Sequence, residues 1–221
     1  MGGSGSSASS VGLVRFPLGV VEIAYASEPD VGKRSELARA DGFDHIDVML
    51  GVDPALLALP VGCPTAFPKP VDTWCATPAP PDGDGAWDRT VRWWRAAPRA
   101  LCEPWGGASV SSIERVQALA EEVPGLRFLI DTGHVTGWGG DVLELLPFAG
   151  HVQLRDARPG AAQVAPGDGD VDFAAVLRRL DELDYRGALS VEYFDLPEHG
   201  WGCDDPAAYA NALREIVTML G

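Results

Sequence analysis

Short apolar runs recur along this chain, most of them followed by a more polar stretch whose apolar positions fall three and four residues apart. Runs of that length suit buried strands, and the longer spacing suits the inward stripe of a helix. Strands are predicted at residues 20–26, 43–50, 61–67, 100–103, 127–131, 151–155 and 188–193, with a weaker, edge-like candidate at 73–77. Helix starts carry their own marks. Asp30 precedes a helix reaching Ala40, Asp53-Pro54 opens a brief one with proline where a missing N–H costs nothing, and residues 86–97 form another. Ser111-Ser112-Ile113-Glu114 reads as a capping box, while Asp141, Asp172 and Asp205-Pro206 open the remaining helices.

Alternating strands and helices with short apolar strands imply a parallel sheet covered by helices, closed or nearly closed. Four oxygen-bearing side chains, Glu103, Asp131, Gln153 and Glu192, stand at the downstream ends of predicted strands, 28, 22 and 39 residues apart. A (β/α)₈ barrel spends roughly 30 residues on each strand-plus-helix step, so the four are expected on consecutive strands. Barrel strands end at a common rim, where such side chains can converge on one divalent metal ion although they are distant in sequence. The expected fold class is therefore α/β, a TIM-type (β/α) barrel. It reads as shortened, with one strand–helix unit missing or degenerate. The segment between the third strand and Glu103 is too short for the helix, strand and second helix it should hold, and residues 68–85 carry five prolines.

Composition narrows the partners. Residues 1–10, MGGSGSSASS, have neither a charged nor an apolar region of a signal peptide and read as a Gly/Ser linker, expected to be disordered, ahead of a single domain over 11–221. With no run of about 18 apolar residues, no membrane-spanning helix is expected. A net charge of −15, from two lysines and fifteen arginines against 32 acids, argues against nucleic acid and anionic membranes. Cys63, Cys75, Cys102 and Cys203 form no Cys-x-x-Cys pair and read as reduced thiols of a cytoplasmic protein rather than disulfides or a zinc site.

Five stretches together resemble a known family: Leu101-Cys102-Glu103-Pro104, Asp131-Thr132-Gly133-His134, His151-Val152-Gln153-Leu154-Arg155-Asp156, residues 166–173 (PGDGDVDF) and Leu189-Ser190-Val191-Glu192-Tyr193. In this order and spacing they are similar to the successive motifs of the xylose isomerase-like TIM barrels, a superfamily of sugar phosphate isomerases and epimerases, ketose 3-epimerases, hydroxypyruvate isomerase and inosose dehydratase. The resemblance covers residues 101–193 well and the first hundred residues loosely. It implies metal ligands at Glu103, Asp131, Gln153 and Glu192, with Glu103 and Glu192 also acting as the acid/base pair on opposite faces of the substrate. Where the epimerases usually have histidine this chain has Gln153, as in the hydroxypyruvate isomerase branch. An amide oxygen there leaves an all-oxygen donor set, suited to Mn²⁺ or Mg²⁺.

The chemistry expected of two carboxylates beside a metal-chelated hydroxy-carbonyl is proton transfer through an enediolate, giving isomerisation or epimerisation of a small sugar-like substrate. His134 resembles the family histidine that binds a substrate oxygen, and Arg158 lies near the position of a substrate-binding arginine. His151, two residues before Gln153 on the same strand face, is expected about 6.6 Å deeper, in a structural role. Lys69, His45 and His199 read as surface or rim residues, and Trp105, Trp138 and Trp201 fall after ligand-bearing strands, around the expected pocket mouth. A lyase such as a dehydratase would use the same first step, and a non-catalytic, partner-dependent subunit is the third class. A shortened wall would open the pocket to a larger substrate or be covered by a second subunit in a homodimer. The DNA-repair endonucleases of the same superfamily need a histidine-rich zinc cluster that four histidines do not supply.

Overall fold

Among the described residues, seven short strands form the inner wall and end at a rim that carries polar side chains. The computed structural model describes residues 16–221, so the linker expected at residues 1–10 and the first residues of the expected domain lie outside the described residues. The strands are β1 (Leu18–Val21), β2 (Ile46–Asp47), β3 (Ala76–Pro78), β4 (Leu101–Glu103), β5 (Phe128–Asp131), β6 (Ala149–Leu154) and β7 (Leu189–Val191). All pairings are parallel, in the order β2-β1-β7-β6-β5-β4-β3.

The two outer strands meet through segment 61–66. Thr65 bridges Met49 on one side and Ala76 on the other, and Val61 bridges Ile46. The Thr65 amide donates to Val48 O at 2.8 Å, the Ala66 amide to Ala76 O at 2.8 Å, and the Ala76 amide to Pro64 O at 2.7 Å. Pro60 and Pro64 have no N–H to give, so this eighth position is held by scattered bridges instead of a continuous ladder. The expected degenerate unit is here: after β2 there is a single 3₁₀ turn, Pro54–Leu56, and no helix lies between segment 61–66 and β3.

Among the described residues, seven helices surround the strands: α1 (Val31–Ala40), α2 (Ala86–Ala96), α3 (Ile113–Glu122), α4 (Thr132–Gly137), α5 (Val142–Leu145), α6 (Phe173–Glu182) and α7 (Pro206–Leu220). Six start on a side chain that accepts from a first-turn amide: Asp30, Ser112, Asp131, Asp141, Asp172 and Asp205. Between strands and helices lies one large apolar core, including Ile46, Trp94, Cys102, Phe128, Ile130, Val152, Leu154 and Val191.

Some expectations needed correction. The cap of α3 is Ser112 rather than Ser111, because its hydroxyl accepts from the Arg115 amide. The first strand stops at Val21 and continues as a 3₁₀ turn, Glu22–Tyr25. The edge-like stretch near 73–77 is an inner strand, β3, paired on both sides. His45 is not at the rim: it is 5 % exposed, inside the barrel, where its Nε2 lies 2.9 Å from Ser190 Oγ. His151 Nε2 lies 2.8 Å from Asp47 Oδ2 and 3.1 Å from Ser190 Oγ, making a polar floor. Gly19 and Gly62 leave the space for it, since a Cβ at either would stand 2.3 Å or less from the His45 ring.

Candidate active site at the barrel mouth

Above that floor, β4, β5, β6 and β7 end side by side, and Glu103, Gln153 and Glu192 from their ends line one cavity of about 710 Å³ together with His134. Glu103 closes β4, Asp131 closes β5, Gln153 is the penultimate residue of β6, and Glu192 follows β7, its amide donating to Leu154 O at 3.0 Å. Register makes this convergence: Asp131 stands opposite Gln153, which stands opposite Ser190. Glu103, Asp131, His134 and Glu192 each present a possible ligand atom within 4.8 Å of the others, and all four are buried. His134 reaches the group from the first turn of α4, with Nε2 3.5 Å from Asp131 Oδ2 and 3.7 Å from Glu103 Oε1.

A residue that the sequence analysis did not single out sits in the middle. Arg155, two positions after Gln153 on the same strand face, is fully buried, with Nη2 against Asp131 Oδ2 and 3.3 Å from Glu192 Oε2. Its guanidinium lies 5.2 Å from the Phe194 ring centre and 5.1 Å from that of Trp201. The period-two alternation that places His151 below Gln153 also places Arg155 above it, so the signal was present in the sequence. Thr132 fixes this arginine's backbone: its Oγ1 donates to Arg155 O and accepts from Arg155 N, both at 2.8 Å. Gly133 is required beside it, because a Cβ there would stand 2.6 Å from Arg155 Nε and 2.4 Å from Ala162 O.

Two further polar residues, also outside the expected set, hold the surrounding loops. Asp156 accepts from the amides of Gly167 (2.7 Å) and Gly169 (3.1 Å), tying down the Gly-rich motif at 166–170. Gln163 Nε2 donates to Phe194 O (2.8 Å) and Trp201 O (2.9 Å), fixing the loop after Glu192. Arg158 does not join the site; it is exposed, on a turn where its amide pairs with Ala161 O. Trp105 and Trp201 line the cavity together with His199, whereas Trp138 is not part of its lining.

Burial dominates the electrostatics. It pushes the Glu103 carboxyl up to about 8, with repulsion from Asp131 adding and attraction from Arg155 opposing. Glu192 is raised well above the usual carboxylate range, also by burial. Asp131 is equally buried, but Arg155 and His134 outweigh that penalty and hold it below its ordinary value. The His134 imidazole is pushed down to about 4 by burial, so it is neutral near pH 7 and its ring can offer a lone pair.

These groups suit a divalent cation. Three carboxylates face one guanidinium, leaving two negative charges when all are ionised, and Gln153 Oε1 is buried with no hydrogen-bond partner among the described residues. A buried amide oxygen without a partner is costly unless something else occupies its lone pairs. His134 adds a nitrogen donor to the all-oxygen set expected from sequence, so the donor chemistry is mixed.

Known proteins match this chain along the same elements. An inosose dehydratase from Geobacillus kaustophilus is 30% identical over 138 residues, covering 52% of this chain and 44% of that protein. The chain thus spans less than half the length of this curated relative. Among solved structures, 3-keto-D-glucoside 4-epimerase from E. coli superposes with a TM-score of 0.71 at 15% identity, covering 92% of this chain and 100% of that one. A magnesium-bound xylose isomerase-like TIM barrel protein from Mycobacterium smegmatis gives 0.69 at 14% identity, covering 93% and 96%. The sequence model of the xylose isomerase-like TIM barrel matches residues 63–217, from the closing segment through all four rim strands. With parallel strands meeting around a carboxylate-lined mouth and that match over more than half its length, the chain belongs to the xylose isomerase-like TIM barrel family.

Proposed function

We propose that this chain is a divalent-metal-dependent isomerase or epimerase, acting on a small sugar-like hydroxy-carbonyl substrate with Glu103 and Glu192 as its acid/base pair. The observation that carries this reading is the pair itself. Two buried carboxyls line one cavity beside Asp131, Glu103 pushed up to about 8 and Glu192 raised well above the usual carboxylate range, both mainly by burial, as suits groups that exchange protons. Glu103, Asp131, Gln153 and Glu192 would hold the metal, and Mn²⁺ or Mg²⁺ suits this oxygen-rich set. When bound, the ion would supply Lewis-acid polarisation of the substrate's hydroxy-carbonyl unit.

The protein's own groups do the rest. The ionised member of the pair takes the proton from the carbon beside the carbonyl, and the protonated member returns one to the neighbouring carbon or to the opposite face of the same carbon. Arg155 keeps Asp131 charged and oriented, and His134, neutral, donates or accepts at a substrate hydroxyl. The aromatic loop residues Phe194 and Trp201 cover Arg155 and help exclude water.

A second reading has a specific observation behind it: the curated relative named above is an inosose dehydratase, and a dehydratase would use the same first proton transfer, then expel a β-hydroxyl. Incubation with ketoses and inososes in D₂O with Mn²⁺ separates the readings. Deuterium uptake without mass loss supports isomerisation or epimerisation, and loss of water supports the lyase. Absence of any exchange with metal bound would remove both.

A further inference from the structure

The floor of the site is small and charged, whereas the cavity above it is larger and mostly apolar, with Glu22, Arg34 and Arg89 as charged residues in its lining. Counting each heavy atom at no more than the ~30 Å³ of a water molecule, a hexose bound at the carboxylates fills at most about half of the roughly 710 Å³ available. That volume lies in the range of pockets that hold drug-sized ligands. The upper wall is also the part of the sequence that fitted the barrel pattern least. Pro78, Pro80, Pro81, Trp93 and Trp105 line it together with Phe67 and Met49, which belong to the part of the chain where the second and third helices are reduced or absent. Trp105 is fixed, since its Nε1 donates to Ala79 O at 2.7 Å. Of the charged groups at this level, Glu22 and Arg34 neutralise each other at 2.5 Å. Phe67 is 71% exposed and Met49 46%, so both present apolar surface at the edge of this cavity.

We propose that the ligand of this cavity is a sugar or cyclitol ring bearing a large apolar substituent, an aryl or alkyl group, with the ring at the carboxylate floor and the substituent against the proline–tryptophan–phenylalanine wall. This rests on the reading of the floor as a sugar site. The wall is continuous with that floor in a single recess, so one molecule touches both, and a free sugar would leave the apolar half filled with water. The polyol end provides orientation through hydrogen bonds and the metal, and the substituent provides affinity through apolar burial. The degenerate third unit gives the substituent room to leave the barrel sideways.

The test compares phenyl β-D-glucoside with methyl β-D-glucoside by isothermal titration of the Mn²⁺-loaded protein, beside a separate titration of Mn²⁺ alone. The phenyl compound should bind at least tenfold more tightly. The double variant Phe67→Ala, Met49→Ala, at two exposed positions that do not threaten folding, should cut that preference at least threefold while leaving Mn²⁺ affinity unchanged. Equal affinity for the two glucosides, no binding of either, or a preference untouched by the double variant each overturns the proposal. If equal affinity coincides with a dimer that dissociates in the double variant, the wall is a subunit interface instead. Mn²⁺ binding that fails altogether sinks the reading of the floor, and a phenyl preference that survives such a failure shows the wall to be a ligand site on its own.

Discussion

Arg155 is a permanent cation with no solvent, placed among carboxylates that lost theirs, and its removal separates charge balance from shape. Arg155→Met keeps most of the volume and should destabilise the metal-free protein by about 3–5 kcal/mol, the cost of leaving Asp131 buried without its partner. Urea unfolding with and without Mn²⁺ measures this, and the loss should shrink when metal is present. Glu103 gives a pH signature. Its folded value near 8 lies above its ordinary 4.5, so the stability it contributes is complete below about pH 4.5 and is lost as pH rises towards 8. Melting temperatures of the metal-free protein should fall from pH 5 to pH 8, and Mn²⁺ should flatten the slope. Glu192→Gln should keep the metal largely bound while lowering deuterium exchange by about a hundredfold or more, and unchanged turnover would remove Glu192 from the mechanism. At this scale, Glu103, Asp131, Gln153 and Glu192 were legible because each ends an apolar run. The strand alternation gave the face of Arg155 but not its burial, because an arginine near a rim ordinarily reaches into water and here aromatic residues of the distant loop at 194–201 cover it.

Helices read more clearly than strands, for a physical reason. A helix start needs a specific acceptor, and Asp30, Asp141, Asp172 and Asp205 announce theirs in the sequence. Asp172→Ala should therefore cost about 1 kcal/mol in urea unfolding and leave catalysis unchanged, since the cap of α6 serves only that helix. Thr132→Val is a sharper probe. It removes both hydrogen bonds that lock Arg155's backbone and should cost about 1–3 kcal/mol through the unpaired groups it leaves, together with a fall in kcat. Helix α4 escaped the sequence analysis because its six residues are too few to show periodicity. β3 was read as an edge because of its prolines. Pro78 ends the strand, and Ala79 beyond it donates to Glu103 O, so the ladder loses little.

At the scale of the whole molecule, the barrel and its weak third unit follow from the alternation of elements, and the missing residues between the third strand and Glu103 pointed to where it is incomplete. What the sequence concealed was that the incomplete place still joins its neighbours. The other neighbouring strands are joined by ladders; segment 61–66, with Pro60 before it and Pro64 within it, is joined to β2 and β3 by a few bridges. Its amides should exchange with D₂O before those of β5 and β6, a difference readable by hydrogen-exchange mass spectrometry. The same seam guards the molecule against its own kind. While it stays fastened, β2 and β3 have no free flank; once it parts, two rows of unsatisfied backbone donors and acceptors face outwards, beside exposed Phe67 and Met49, ready to stitch onto another opened copy.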